Sequence, residues 1–209
     1  MRALDPTGIP LDAFDRLADH PNVVGIKLTQ IIPSAAALAV AERLSDRLLI
    51  GPVHFEQLLM LALKYPIQWS GQWALDTLQT LEKPFVRDFL DLVAAGKHSE
   101  ALAQYWRFQP VVSAFYDLQG PHLAAGGHPC LHIKYLQWLT GGNGGLIAAG
   151  ENPHFPALDG DTRKRCRAAI ASVGLKLVDR PEEAFIVGNA AYDRGVRLKD
   201  LSATPQYVA

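Results

Sequence analysis

The chain has 209 residues, of which 49% are hydrophobic, 20% charged and 9% aromatic. This composition is typical of a globular protein with one sizeable core or two small ones, and it excludes a disordered or fibrous chain. The formal net charge of -1 excludes a strong overall field toward nucleic acid or an anionic membrane. We therefore expect neither nucleic acid nor a membrane among its partners.

The apolar runs and the cysteines of the sequence indicate the cellular compartment of the protein. The longest apolar runs, such as residues 34–41 and 58–63, are far shorter than the roughly 18 to 20 residues that a bilayer span needs. The first ten residues lack a continuous apolar segment, so no signal peptide is expected. The two cysteines, Cys130 and Cys166, are too few for a disulfide framework and fit a reducing compartment. We expect a cytoplasmic protein.

Short β-rich runs alternate with helix-forming segments in the first third of the chain. Residues 22–27, 47–51 and 66–70 predict three strands, the third weaker than the others. Residues 33–44 and 54–63 lie between them and predict helices. Each interval leaves room for one crossover helix, so the alternation predicts βα units around a parallel sheet.

From about Pro84 onward the apolar period becomes helical. Helices are predicted over residues 84–95, 98–118, 129–139 and 161–173. Gly96 and Gly174 are placed to end the first and last of these helices, and Pro110 is expected to kink or divide the second. After them, residues 184–187 predict one strand, and the polar end from Leu198 predicts a loosely tied tail.

Lys27 is the most informative position in the sequence. It follows Val23, Val24, Gly25 and Ile26, so it is predicted at the carboxyl end of a parallel strand, where barrel enzymes assemble their sites. Apolar neighbours would favour the neutral amine, the form that attacks a carbonyl carbon to form a Schiff base. The alternative is a lysine that extends from a strand end into solvent.

The segment LADHPNVVGIK, residues 17–27, closely resembles the strand-six signature of the dihydrodipicolinate synthase and N-acetylneuraminate lyase family. Members of this family are pyruvate-dependent class I aldolases built on a (β/α)8 barrel. The resemblance continues in chain order: residues 5–11 resemble the segment after strand five, residues 48–51 strand seven, and residues 66–70 strand eight. Residues 84–174 resemble the last barrel helix and the family's C-terminal helical extension.

The resemblance implies an α/β fold: a partial TIM (β/α)8 barrel, strands six to eight of the family, followed by a C-terminal helical region. The partial barrel would occupy residues 1–96 and hold the Schiff-base lysine. The helical extension would occupy residues 97–174, and residues 175–209 would form a tail.

The same resemblance implies a site. Lys27 would form the Schiff base with pyruvate or a related 2-keto acid, Gly51 would leave room for the bound acid, and Gln68 would line the same pocket. No cofactor and no metal are expected. The activity would be that of a lyase or aldolase of the dihydrodipicolinate synthase type.

Three departures from the family pattern bear on this expectation. Leu28, Thr29 and Gln30 follow the lysine, where the family usually has Asp-Ser-Ser. Leu4 is the residue nearest to the place of the family's proton-relaying tyrosine, and leucine has no proton to relay. The family's hydroxyl pair for the substrate carboxylate follows strand two, and strands one to five have no counterpart. The chain resembles the C-terminal part of an aldolase.

Two hypotheses of different classes follow. The first is an aldolase in which Lys27 forms an imine with a 2-keto acid. The second is a catalytically impaired relative that acts as a structural or regulatory subunit, or a fragment of a longer aldolase. A sheet of only three strands leaves edges that pair with something. We expect a homo-oligomer, a partner chain that completes the barrel, or residues 184–187 folding back over the strands.

Three other patterns have weaker functional interpretations. His128 and His132 have the i, i+4 spacing of zinc sites, but Cys130 points elsewhere on a helix and no acidic third ligand is evident. The glycine-rich residues 141–145 lack the Gly-Lys-Ser/Thr of a phosphate loop and predict a flexible turn. The basic residues 163–167 wrap more than one helical turn and predict a solvated face.

The four tryptophans are interpreted as core or subunit-interface residues: Trp69, Trp73, Trp106 and Trp138. Trp69 and Trp73 fall near the expected mouth of the pocket, where one of them would restrict the size of the substrate.

Overall fold

The computed structural model describes residues 8–28, 34–71, 73–124, 127, 130–145 and 158–201. Ten α-helices and two strands are assigned within them, followed by a short 3-10 helix at Leu198–Asp200. In chain order they are α1 (Leu11–Ala18), β1 (Gly25–Leu28), α2 (Ser34–Leu44), β2 (Leu49–Pro52), α3 (Phe55–Ala62), α4 (Trp73–Leu78), α5 (Phe85–Ala94), α6 (His98–Ala124), α7 (Cys130–Leu139), α8 (Gly160–Ser172), α9 (Glu182–Val187) and α10 (Asn189–Asp193).

The chain forms two compact units. The first is drawn from Met1–Leu75 and Val86–Tyr105, and the second from Asp76–Phe85 and Trp106–Ala209. The mixed α/β class is confirmed: the described residues are mostly helical and contain one two-stranded parallel sheet. The division into residues 1–96, 97–174 and 175–209 stays a prediction.

The sheet of the first unit is a parallel pair joined by a helical crossover. β1 and β2 pair with Lys27 opposite Gly51 and Ile26 opposite Ile50. Helix α2 connects them and buries one face through small and aliphatic side chains, among them Val40 and Leu44, both 0% exposed. The order β1, α2, β2 confirms the predicted βα alternation for these two strands. Parallel neighbours need a crossover of this kind between them.

A charge cluster ties α1 to the following helix. Arg47 donates to Asp15 at 2.6 Å and to Asp19 at 2.9 Å, and Arg43 pairs with Asp12 at 2.9 Å and also with Asp15. Hydrogen bonds from Arg43 and Arg47 lower the pKa of the Asp15 carboxyl. This cluster fixes the segment that leads into β1.

The prediction of a third strand at residues 66–70 is wrong. Residues 66–70 form no ladder with the other described residues. Pro66 has no N–H to donate, and the segment is held to β2 by a single side-chain bond, from Ser70 Oγ to the carbonyl of Pro52 at 2.7 Å. It therefore lies beside the sheet without extending it.

Two helices, α5 and α8, end at glycine residues as the sequence predicts. Gly96, at φ 71°, donates to the carbonyl of Val93, and Lys97 donates to that of Leu92, which closes α5. Gly174, at φ 73°, closes α8 in a similar way through the carbonyl of Ala171.

Pro110 does not divide its helix. α6 runs continuously from His98 to Ala124, so the prediction of a division is wrong. Pro110 is exposed, and the carbonyl that loses its helical donor belongs to Trp106, whose side chain is also exposed. Because water can reach this side of the helix, the missing bond costs less there than in a buried turn.

The second unit is built around a buried aromatic group. Tyr135 and Trp138 of α7 and Phe185 of α9 are all 0% exposed, with ring centroids 5.0 to 5.6 Å apart. The Trp138 indole N–H donates to Asn189 Oδ1 at 3.1 Å. Such aromatic pairs stabilise a core beyond the area that they bury.

The glycine-rich residues 141–145 are tied into this core. Gly141 N donates to the carbonyl of Trp138 and Gly142 N to that of Gln137, which ends α7. Gly145 N donates to the carbonyl of Phe185 at 2.7 Å. The loop amides are used within the fold, which agrees with the exclusion of a phosphate cradle, and these bonds replace the flexibility expected from the sequence.

The strand predicted at residues 184–187 is also wrong, because this segment lies in α9 and adds no strand to the sheet. Glu182 and Glu183 stand in the first turn, and Gly188, at φ 91°, ends the helix. Acidic residues at the start and glycine at the end are helix signals that outweigh four apolar residues in a row.

Within the described part of the chain, no helix is long and apolar enough to cross a bilayer.

Cys166 of α8 gives the second unit a distinctive response to pH. Its side chain is 0% exposed, and burial raises the pKa of the thiol from 9.0 to about 12. A raised folded-state pKa stabilises the fold fully below pH 9, and that stability is lost as the pH rises toward 12.

We predict that the free energy of unfolding falls by about 1 kcal/mol between pH 8 and pH 10 through this thiol alone. Urea titrations in a reductant at the two pH values measure it. Cys166→Ala should remove this part of the slope, whereas Cys130→Ala, at a half-buried cysteine, should keep it. Equal slopes for wild type and Cys166→Ala would contradict the prediction.

Candidate functional site

The parallel register places Lys27 beside Gly51. The two residues are opposite each other on β1 and β2, and adjacent strands lie about 5 Å apart. Residues opposite each other in a parallel pair direct their side chains to the same face of the sheet. Lys27 and the open α-carbon of Gly51 therefore share one face, opposite the face that α2 covers.

Trp69 lies directly against Gly51. A Cβ built on Gly51 would lie 2.1 Å from Cζ2, 2.2 Å from Cη2 and 2.4 Å from Cε2 of Trp69. These distances leave no space for any side chain larger than hydrogen. The space beside Gly51, expected to admit a keto acid, is occupied by the indole, and this is the physical reason for glycine there.

Gly71 completes the same face. A Cβ built on Gly71 would lie 2.8 Å from Cε and 3.4 Å from Nζ of Lys27. The bond from Ser70 to the Pro52 carbonyl anchors the segment between Trp69 and Gly71 to the end of β2. The lysine site thus consists of Lys27, Gly51, Trp69, Ser70 and Gly71, all within the first unit.

The lysine is more open to solvent than its sequence neighbours predicted. Lys27 is exposed, and Val24 is 71% exposed. The expectation of an apolar wall from Val23 to Ile26 is therefore wrong, because Val24 precedes the strand and no element covers it in the described part of the chain. The contacts to the lysine stem come from Gly71 instead.

Gln68 is exposed, and the contacts that define this face come from Trp69 and Gly71. Its role in substrate binding stays a prediction, as do the roles of Lys27 and Gly51. Gly71 and the anchoring role of Ser70 were missed by the sequence reasoning. The signal was the pair Ser-Gly at the end of the expected strand and directly after it, since small residues there allow close approach of a neighbouring segment.

A second polar cluster borders the aromatic core of the other unit. The Tyr135 hydroxyl donates to Glu182 Oε1 at 2.7 Å and accepts from Arg167 Nε at 3.0 Å. Arg167 Nη2 also donates to Glu182 Oε1 at 2.6 Å. Burial and the neighbouring Glu182 carboxylate raise the pKa of the Tyr135 phenol well above its usual range.

Each polar group of this cluster has a partner within it, so the cluster fits a structural role. Arg167 is held in this ion pair, and Lys164 pairs with Asp161 at 3.3 Å. The basic run is therefore not wholly solvated as expected, because Arg167 is half-buried against Tyr135 and Glu182.

The second unit also has an open groove of about 840 Å³. Charged residues of both signs line it: Asp76, Glu82, Lys83, Lys176, Asp179 and Arg180. Gln137 Nε2 lies 3.5 Å from Asp76 Oδ2. Because charges of both signs line it, the groove has no single sign with which to select an ion.

No metal site is found in the described ranges, where no three residues of the His, Cys, Asp and Glu types come together. His132 is 2% exposed and Cys130 is half-buried. His128 lies outside the described residues, as do Leu4, Thr29 and Gln30.

No protein-family model and no curated protein matches this chain. The resemblance to the pyruvate-dependent aldolases therefore depends on the strand-six motif and on the order of the segments around it.

We predict that Gly51→Ala lowers the free energy of unfolding by about 1 to 3 kcal/mol, because the new methyl group collides with the Trp69 ring. In a Trp69→Ala background the same change should cost clearly less. Chemical denaturation of all four proteins in this cycle measures the coupling.

Gly160→Ala is the matched control, since the nearest atom to its added Cβ is 3.8 Å away. It should change stability by less than about 0.5 kcal/mol. Strictly additive effects of Gly51→Ala and Trp69→Ala would show that the ring does not occupy this space.

Proposed function

We propose that Lys27 forms a Schiff base with pyruvate or a related 2-keto acid, in a lyase or aldolase reaction of the dihydrodipicolinate synthase type. The observation that supports this most directly is the register of Lys27 with Gly51 on adjacent parallel strands. This register supports the proposal because the α-carbon of Lys27 then lies near the carboxyl ends of both strands, the end at which barrel enzymes assemble their sites.

The chemistry needs only the amine and the keto acid at the first step. The Nζ electron pair attacks the carbonyl carbon and forms a carbon–nitrogen bond. The carbonyl oxygen then leaves as water with the two hydrogens of the amine. When protonated, the resulting imine accepts the electron pair of a neighbouring carbon–carbon bond that breaks, or that of a carbon–hydrogen bond whose proton leaves to a base.

The surroundings of Lys27 support access by a small acid. The Lys27 side chain is exposed, and its Cε and Nζ end lies beside Gly71, which has no side chain to cover the amine.

Proton transfer is the weaker part of the proposed activity. General acid–base assistance is typically worth about 10²- to 10⁴-fold, and leucine stands nearest to the place of the family's tyrosine. Tyr65 of the first unit is another candidate for this role, and the Lys64 amine lies 4.9 Å from the centre of its ring. We therefore expect slow turnover from the isolated chain.

We predict that incubation with pyruvate and borohydride adds one reduced pyruvyl group at Lys27. Mass spectrometry of the digested chain identifies the modified peptide, and Lys27→Ala should abolish that adduct. Lys27→Arg is the matched control, because it keeps the positive charge but forms no reducible imine of this kind. An unmodified Lys27 peptide in the wild type would overturn the proposed function.

A second role, as a non-catalytic subunit of a larger assembly, is supported by the incomplete sheet. Val24 and Leu49 are 71% and 40% exposed beside a sheet of two strands in the described ranges. Two strands alone are marginally stable in water, and their open edges favour pairing with further strands.

We predict that the purified chain is oligomeric, or that it associates with a partner that extends the sheet. Multi-angle light scattering over a concentration series measures the mass. Val24→Lys should shift the equilibrium toward monomer, because it places a charge on the exposed apolar surface. A wild-type monomer that melts cooperatively without any partner would exclude this role.

A further inference from the structure

We propose that Trp69 is the specificity-determining residue of the lysine site and makes it favour 2-keto acids with an aromatic substituent over pyruvate. This inference rests on the proposed function, since it concerns the acid that would bind at Lys27. It names the substrate class of that same site.

The indole of Trp69 lies beside the strand residue that is paired with Lys27. Its six-membered ring contacts the α-carbon of Gly51, which is the register partner of Lys27. The ring therefore lies on the face of the sheet that carries the lysine, within about one strand spacing of it.

The second step is that the ring is held there. The next residue, Ser70, is bonded through its hydroxyl to the Pro52 carbonyl at 2.7 Å, and Gly71 lies against Cε of Lys27. The strand pair and the segment 69–71 thus keep the indole and the amine on one surface. Trp69 is only half-buried, so part of its surface remains open.

The third step is chemical. An imine at Nζ places its carbon, the carboxylate and the substituent of the acid just beyond the lysine. The five residues of the lysine site include no positive side chain besides Lys27. An orientation of the carboxylate toward water is therefore favoured, because water then solvates its charge. The substituent then faces the indole. An aromatic substituent gains stacking with it, whereas the methyl group of pyruvate gains little.

The test is competitive trapping. Equal concentrations of pyruvate and phenylpyruvate are reduced onto the protein with borohydride, and mass spectrometry gives the ratio of the two adducts at Lys27. The ratio at Lys97, an exposed lysine paired with Glu100 at 3.7 Å, corrects for the intrinsic reactivity of the two acids. We expect the corrected ratio to favour phenylpyruvate about two- to tenfold.

Two variants of Trp69 separate stacking from simple packing. Trp69→Met keeps an apolar cover on Gly51 but removes the ring, and its corrected ratio should fall to near one. Trp69→Phe keeps a ring and should keep most of the preference. Trp106→Met is the matched control, because Trp106 is 60% exposed and belongs to the other unit. It should leave the ratio unchanged.

The outcomes distinguish this inference from the proposed function. If Lys27 is trapped by both acids but Trp69→Met keeps the wild-type ratio, the role of Trp69 is overturned while the lysine chemistry stands. If neither acid modifies Lys27 more than Lys97, the proposed function fails and the inference fails with it. Circular dichroism melts of each variant verify that the compared proteins are folded.

Discussion

The parallel pairing of β1 with β2 is the contact on which the lysine site depends. Each strand is only four residues long, and their register places Lys27 opposite Gly51. A shift by one residue would turn Lys27 toward the face that α2 covers, where an unpaired charge is costly. The buried small residues of α2 and the aliphatic residue Ile50 hold the register, because they fit only one face of the pair.

The segment from Trp69 to Gly71 adds the remaining residues of the lysine site to the strand pair. It covers Gly51 with an aromatic ring and supports the lysine stem with a glycine, while the Ser70 hydroxyl fixes it to the end of β2. A third ladder strand would satisfy more backbone groups. The arrangement seen here instead places Lys27 and the Trp69 ring on one face of the sheet, which is the combination that the proposed substrate class requires.

The second unit carries its own stabilising interactions. Its aromatic core is bordered by the cluster of Tyr135, Arg167 and Glu182, in which each polar group meets another. Removing one member would leave a partly buried charge without its partner, which costs more than the pair contributes.

The sequence by itself determined the class of the fold, the βα order of the first unit, and the helix ends at Gly96 and Gly174. These features depend on local signals: apolar periodicity, positive φ at glycine, and the crossover that a parallel pair needs. It also singled out Lys27 and Gly51 as neighbours. Only the tertiary structure decided that residues 66–70 cover the sheet instead of extending it, that residues 184–187 are helical, and that Trp69 fills the space beside Gly51. Those outcomes depend on which surfaces meet, and a short apolar run has the same pattern whether it pairs at an edge, packs on a face or winds into one turn of helix.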